Sequence, residues 1–148
     1  MSTAAHFPAP DLHIGGLRLW IDRRHQAEVS DYWDGNWLEV RAEYESANSR
    51  VAIAGPLVHL SEIVTLERSC TKLAAQEVQE AGLFCREPNL KIELWAVPGG
   101  KFIGKVRITP DHKSEMHDFG FALADGELDA LLGACAQILR HYPLQQSR

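Results

Sequence analysis

Apolar and polar residues alternate along the first half of the chain, with the period of two that is typical of half-buried strands. The alternation is visible in residues 17–23, LRLWIDR, and is clearer in residues 37–45, WLEVRAEYE, where one face is apolar and the other mostly charged. A third strand, RVAIAG at residues 50–55, is expected to be interrupted at Gly55 and Pro56, because proline lacks the N–H that continues a ladder. Three strands are therefore predicted here.

The hydrophobic period changes to helical spacing from about Leu60 to Glu80. Apolar residues recur there at intervals of three and four, which predicts one amphipathic helix of about five turns. Ser61 is the predicted N-cap and Gly82 the predicted stop.

The second half of the chain returns to strands and ends in a helix. The segment LFCR at residues 83–86 is expected to begin a strand, and the alternating segments 89–97 and 101–109 flank Pro98-Gly99-Gly100, which predicts a hairpin. A last strand is predicted at 118–123. An apolar stripe then predicts a helix that is capped by Asp125 and ended by Tyr142-Pro143.

The predicted order of elements is β-β-β-α-β-β-β-β-α. Short connections favour hairpins, so we expect an α+β fold with one largely antiparallel sheet of about six to seven strands and two helices. The predicted single domain covers residues 12–143, with a flexible N-terminal tail at 1–11 and a C-terminal tail at 144–148.

Composition restricts the function. The 148 residues are 45% hydrophobic and 24% charged, as in ordinary soluble domains, and the net charge is −5. An acidic chain is a poor nucleic-acid binder, because such binding depends on basic side chains that displace counterions, whereas acidity favours a basic protein partner. Direct nucleic-acid binding is therefore not expected.

Cysteine usage and the N-terminus favour the cytoplasm. Cys70, Cys85 and Cys135 are odd in number and form no CxxC pair, which argues against a disulfide framework or a zinc ribbon. The first ten residues lack the basic and apolar regions of a signal peptide, and no apolar run is long enough to span a membrane. Neither export nor membrane association is predicted.

Two segments carry candidate chemistry that their context does not support. Gly99, Gly104 and Lys105 match the spacing of a phosphate loop, but Val106 replaces the required Ser or Thr and the segment lies in a predicted hairpin. The loop 111–118, DHKSEMHD, offers His112 and His117 as metal ligands, yet their spacing fits no known site. A polar connection without a metal or cofactor is the preferred interpretation, and no catalytic group is identified elsewhere.

The most unusual segment joins the first two of these predicted strands. It comprises Asp31, Tyr32, Trp33, Asp34, Gly35, Asn36 and Trp37. A calcium loop beginning at Asp31 is excluded, because the glycine and glutamate needed at its sixth and twelfth positions are absent. The preferred interpretation is a rigid corner in which Trp33 and Trp37 are anchors, the Asp and Asn side chains form turns, and Gly35 takes a positive φ.

The run DYWDGNWL at residues 31–38 resembles the signature of WapI-type immunity proteins, small bacterial proteins associated with wall-associated polymorphic toxins. The order of elements over residues 12–142 is also similar, whereas the loop 111–118 and the hairpin around residue 100 match nothing assigned to that family. The resemblance implies a cytosolic antitoxin that binds the toxic C-terminal domain of a polymorphic toxin and blocks it stoichiometrically. It implies neither catalysis nor a cofactor.

The candidate toxin contacts lie on the exposed face of the strand at 37–45, close to Asp31 and Asp34. They are Glu39, Arg41, Glu43 and Glu45. Two alternatives stay open: a small ligand-binding or metal-binding domain that uses the aromatic loop with His112 and His117, and a homodimeric structural protein. The sequence permits either a monomer or a homodimer.

Overall fold

Two four-stranded antiparallel sheets, each followed by one α-helix, form the fold in the computed structural model, which describes residues 8–146. Residues 1–7 and 147–148 of the predicted tails lie outside the described residues. The N-terminal sheet contains β1 (Leu12–Ile14), β2 (Leu17–Arg24), β3 (Trp37–Glu45) and β4 (Arg50–His59), in that order, and is followed by α1 (Leu60–Ala74). The C-terminal sheet contains β5 (Glu80–Phe84), β6 (Leu90–Val97), β7 (Lys101–Ile108) and β8 (Asp118–Ala122), followed by α2 (Glu127–His141).

The alternating pattern of β2 and β3 places their apolar side chains on one side of the N-terminal sheet. Leu17 pairs with Tyr44 and Ile21 pairs with Val40 across the two strands, so these residues face the core together. Trp20 points to the opposite face but is only 7% exposed, and its indole N–H donates to the carbonyl of Pro8 over 2.7 Å.

The predicted interruption at Gly55 and Pro56 is wrong, because β4 continues through both residues. β4 is an edge strand, where the missing proline N–H costs no ladder hydrogen bond. The register also shifts here: Leu38 pairs with Val58 but Glu39 pairs with Pro56. This bulge, with Gly55 at φ +142°, lets the strand accommodate the proline and reach α1.

The first helix is shorter than predicted and has a different cap. His59, not Ser61, is the N-cap, and Glu62 completes a capping box with it. The helix ends at Ala74, where Gln76 adopts a left-handed φ of 62° and its N–H donates to the carbonyl of Leu73. Gly82, the predicted stop, lies within β5 instead.

The predicted hairpin is confirmed, since β6 and β7 pair from Leu90 with Ile108 to Val97 with Lys101. Gly99 and Gly100 both have positive φ in its turn, and Gly104 lies inside β7. The geometry is therefore that of a hairpin and not of a strand, loop and helix that could hold phosphate.

The N-cap of the last helix lies one residue after the predicted cap. Gly126 occupies the N-cap with no side-chain hydrogen bond, in place of Asp125. The Glu127 carboxylate instead accepts hydrogen bonds from the backbone N–H groups of Ala124, at 2.8 Å, and Gly15, at 2.7 Å. This contact ties the start of α2 to the turn between β1 and β2.

The α+β class, the antiparallel pairing and the two helices are confirmed. Residues 8–146 form eight strands in two sheets, where six to seven strands in one sheet were predicted. The sequence did not reveal β1, and the strands before and after α1 do not join into one sheet. The two sheets share one core, and the rings of Tyr44 and Phe119 stack between them at a centroid distance of 4.3 Å. No helix in the described part of the chain is long and apolar enough to cross a membrane.

Candidate protein-binding site

The connection between β2 and β3 contains residues 31–37, which we call the aromatic motif. The side chain of Asp31 stabilises the backbone of this motif. Oδ1 of Asp31 accepts hydrogen bonds from the backbone N–H groups of Asp34, at 3.0 Å, and Gly35, at 3.2 Å. The carbonyl of Asp31 also accepts from the Gly35 N–H over 3.0 Å. Asp31 thus forms the Asx-type turn that its residue type favours.

Position 35 requires glycine because a side chain would not fit there, and not because the backbone has a positive φ. Its φ lies outside the left-handed region, in contrast to the sequence-based expectation, while an added Cβ would lie 2.5 Å from the carbonyl oxygens of both Asp31 and Val29. Backbone atoms cannot yield as a flexible side chain can, so only glycine fits without moving the turn.

Asn36 is fully buried and uses both ends of its amide group. Its Nδ2 donates to the carbonyls of Tyr32, at 2.7 Å, and Gln145, at 3.0 Å. Its Oδ1 accepts from the backbone N–H of Gln145, at 2.9 Å, and from the guanidinium of Arg24, at 3.2 Å. Residues 144–146, part of the predicted C-terminal tail, are therefore bound to the motif rather than detached from it.

His59 connects the motif to the start of α1. Its Nδ1 accepts from the Ser61 backbone N–H over 3.1 Å, which assigns the proton to Nε2, and Nε2 lies 3.1 Å from the carbonyl oxygen of Trp33. The imidazole is fully buried. One side chain thus caps the helix and fixes the backbone of the loop.

Three aromatic rings of the motif surround the His59 ring. The centroid distances to it are 5.5 Å for Tyr32, 5.1 Å for Trp33 and 5.1 Å for Trp37. Rings at these separations and tilts pack favourably. The motif is therefore positioned by packing as well as by hydrogen bonds.

A buried carboxylate links the same helix start to the end of β5. Oε1 of Glu62 accepts from the His59 N–H at 2.8 Å, and Oε2 accepts from the Arg86 N–H at 2.7 Å. Burial, followed by the charge and hydrogen bonding of Glu62, raises the pKa of the Cys85 thiol well above its usual value. Burial likewise raises the pKa values of Cys70 and Cys135 to about 12, so none of the three thiols is an activated nucleophile.

These contacts create an exposed surface of three aromatic side chains and one arginine, which we call the aromatic surface. It consists of Tyr32, Trp33, Phe84 and Arg86. The guanidinium carbon of Arg86 lies 4.5 Å from the centroid of the Trp33 ring, in a cation–π arrangement. Trp33 is 45% exposed and Phe84 is 53% exposed, although both are large apolar side chains.

Two shallow, open clefts lie along this surface, and Tyr32 lines both of them. One, of about 460 Å³, is lined by the motif and Gln146, and the other, of about 490 Å³, reaches from Tyr32 across the first turns of α1 to Phe84 and Arg86. Their openness suits a protein surface better than an enclosed small-molecule site. Large aromatic and arginine side chains are also the types enriched in protein interfaces.

The predicted contact residues on β3 lie on the outer face of the N-terminal sheet, where neighbouring charges pair with most of them. Glu39 lies 2.6 Å from the His25 ring, and Arg41 Nε lies 3.1 Å from Asp22. Glu43 pairs with Arg50 at 2.7 Å and approaches Arg18 at 3.8 Å. Glu45, at the end of β3, is exposed. The face is therefore largely neutralised within the chain.

His112 and His117 lie in the exposed connection between β7 and β8. Nε2 of His117 is 2.9 Å from the Glu115 carboxylate. The neighbouring Asp111 accepts from the Ser114 hydroxyl and the Lys113 N–H, which lowers the pKa of its carboxyl. Among the described residues, no group of three or more His, Cys, Asp or Glu side chains is arranged to hold a metal ion.

Sequence reasoning missed three residues of this site. His59 could have been found, because the spacing from His59 to Glu62 is that of a capping box, although histidine is not a usual member of it. Phe84 and Arg86 gave no comparable signal, since their place in the site is tertiary: Arg86 lies over the Trp33 ring, and Phe84 lines a cleft with Tyr32 and Arg86.

Comparison with known proteins gives one family and one structure. A family model described as the immunity protein WapI-like family matches residues 11–143. No curated protein matches the chain significantly. A solved structure that it resembles is the crystal structure of WHY3 from Arabidopsis thaliana, with 12% identity and a TM-score of 0.47 over 88% of this chain and 85% of that one.

Proposed function

The chain belongs to the WapI-like immunity protein family, and from this premise we propose that it is a cytosolic antitoxin for a polymorphic bacterial toxin. In this proposal it binds the toxic C-terminal domain of the toxin and blocks its activity in a stoichiometric complex. The observation that carries the proposal is the family match, which covers all ten helices and strands of the fold.

Inhibition by binding requires a preformed surface and no reactive group. The described residues agree with this requirement: the three thiols have raised pKa values, and the side chains of the motif are used in hydrogen bonds and ring packing. Rigid surfaces bind with a smaller loss of conformational entropy than mobile ones. The proposed mechanism is therefore occlusion of the toxin, without catalysis or a cofactor.

The experiment takes a candidate polymorphic-toxin domain from the genes that flank this protein's gene and expresses it alone and together with this protein. We expect the toxin domain alone to arrest growth, and co-expression to restore growth and yield a complex of one copy each in size-exclusion chromatography with light scattering. A version of this gene with an early stop codon is the control for an effect of the second transcript. Continued growth arrest without a complex would contradict the function.

A further inference from the structure

The aromatic surface points to the place where the partner docks. We propose that Trp33, Phe84 and Arg86 form the toxin-binding site, and that it receives a basic segment of the toxin domain carrying an apolar side chain beside lysine or arginine. This inference rests on the proposed function and specifies both the surface of this chain and the chemistry of the partner.

The aromatic surface combines exposed apolar side chains with a rigid attachment to the fold. The exposed rings of Trp33 and Phe84 would lose contact with water on binding, and burial of apolar area is the main favourable contribution to association. Trp33 is already held through its carbonyl by His59 and through its ring by Arg86. Binding would therefore order few additional groups.

Arg86 is positioned for a partner as well as for Trp33. Its backbone N–H is fixed by Glu62, and its Nη1 lies 4.0 Å from the same carboxylate. The side chain is still 56% exposed, so part of the guanidinium can contact a second protein. Arginine packed over a tryptophan ring is a favourable anchor, because its side-chain entropy is already reduced.

The charge around the two tryptophans of the motif indicates a basic partner. Between Gln26 and Trp37 the chain has three acids, Glu28, Asp31 and Asp34, and neither lysine nor arginine. Glu28 and Asp34 are exposed. Complementary charge of this kind mainly increases the association rate and orients the partner.

The outer face of β3, which the sequence predicted as the toxin contact, has fewer groups available to a partner. Its Glu39 and Glu43 already pair with His25, Arg18 and Arg50, so a partner would have to replace those contacts. Exposed ion pairs contribute little on their own. The strand face does have an apolar cleft of about 350 Å³, but the paired charges of Arg41, Glu43 and Arg50 border it. The aromatic surface instead exposes the large rings of Trp33 and Phe84, and Asp34 next to Trp33 is an exposed acid.

The test uses surface plasmon resonance to measure the affinity of purified variants for the toxin domain that the co-expression experiment identifies. Trp33→Ala and Arg86→Ala are each expected to weaken binding by about 30-fold or more, the size expected for central interface residues. Phe84→Ala should weaken it by about 10-fold. Asp34→Lys should lower the association rate, and the wild-type association rate should fall as salt is added.

Ile103→Ala and Lys101→Ala are matched controls for the loss of an exposed apolar side chain and for the loss of an exposed basic side chain. Ile103 pairs with Trp95 and Lys101 with Val97, whereas Phe84 pairs with Lys91 at the other end of β6. Both controls should bind within about threefold of wild type. Unfolding curves of all variants separate lost binding from lost folding, and Phe84→Ala and Arg86→Ala change side chains that are more than half exposed.

The outcomes separate this inference from the proposed function. If wild type binds and protects but the three variants bind equally well, the docking site is wrong and the immunity function stands. If wild type neither binds nor protects, both proposals fail. A wild-type homodimer that Trp33→Ala converts to a monomer would assign the surface to a second copy of the chain, and a salt-independent association rate would overturn the basic partner.

Discussion

The side chain of Asn36 and the backbone of Gln145 are joined by two hydrogen bonds, of 3.0 Å from Nδ2 to the carbonyl and 2.9 Å from the N–H to Oδ1. This amide-to-amide pairing fixes a residue just beyond α2 against the loop between β2 and β3. Arg24 reinforces it by donating to Asn36 Oδ1 and to the carbonyl of Pro143. The motif thus ties together distant parts of the chain.

Asn36→Asp is expected to destabilise the protein although the two side chains have nearly the same shape. A carboxylate cannot donate to the carbonyls of Tyr32 and Gln145, and its charge would be buried. The free energy of unfolding, measured by urea denaturation, should fall by about 1–3 kcal/mol or more. Asn48→Asp changes an exposed asparagine in the turn after β3 and should stay within about 0.5 kcal/mol of wild type. Equal stability of the two variants would contradict the role of Asn36.

His59 has two separable roles, so two substitutions should differ. His59→Ala removes the helix cap and the partner of the Trp33 carbonyl and should cost about 2–4 kcal/mol. His59→Asn keeps a capping side chain that cannot reach Trp33, and should recover about 1 kcal/mol of that loss. Guanidinium unfolding provides the comparison, with His112→Ala on the exposed β7–β8 connection as the control. No difference between the two His59 variants would show that the cap contributes nothing.

Substitution by alanine at two glycines should change the stability of the protein in opposite directions. Gly35→Ala places a methyl group 2.5 Å from two carbonyl oxygens and should destabilise the protein by about 1–3 kcal/mol. Gly133→Ala lies in α2 with no atom within 4 Å of its added Cβ, and should stabilise by about 0.5–1 kcal/mol through helix propensity. Thermal unfolding reports both effects. A neutral Gly35→Ala would mean that the turn relaxes easily.

The sequence predicted most elements because their patterns are local. Alternation in β3 and helical spacing in α2 follow directly from which face meets the core, as the buried Val40 and Leu131 show. β1 has only three residues, too few for a periodic signal. The division into two sheets depends on how strands pair around α1, which no local pattern contains.

The site could be predicted only in part, for a similar reason. Unusual composition drew attention to the segment from Asp31 to Trp37, and turn chemistry predicted a turn-forming role for Asp31, whose Oδ1 accepts a hydrogen bond from the Asp34 N–H. The aromatic surface also needs Phe84, at the end of β5, and Arg86, just after it; Arg86 packs on Trp33 and Phe84 shares a cleft with Tyr32. His59 was missed because serine is the more usual cap and Ser61 stands two residues later.

The ion pair between β7 and β8 should make stability depend on pH. Nε and Nη2 of Arg107 lie 2.7 and 3.0 Å from the two oxygens of Asp118, and this hydrogen bonding lowers the pKa of the carboxyl. The unfolded chain keeps an ordinary aspartate pKa of about 3.9 and so binds a proton at a higher pH than the folded protein. The stabilisation is complete above that value and is lost as the pH falls through the lowered folded pKa.

A double-mutant cycle of Arg107→Gln and Asp118→Asn, followed by urea denaturation at pH 7 and near pH 2, isolates the interaction between these two side chains. We expect a coupling free energy of about 0.5–1 kcal/mol at pH 7, as for other partly exposed pairs. It should be much smaller in acid, where Asp118 gains a proton and the pair loses its charge. An equal coupling at both pH values would contradict the ionic origin of the stabilisation, and a zero coupling at pH 7 would show that the pair is formed without a net gain.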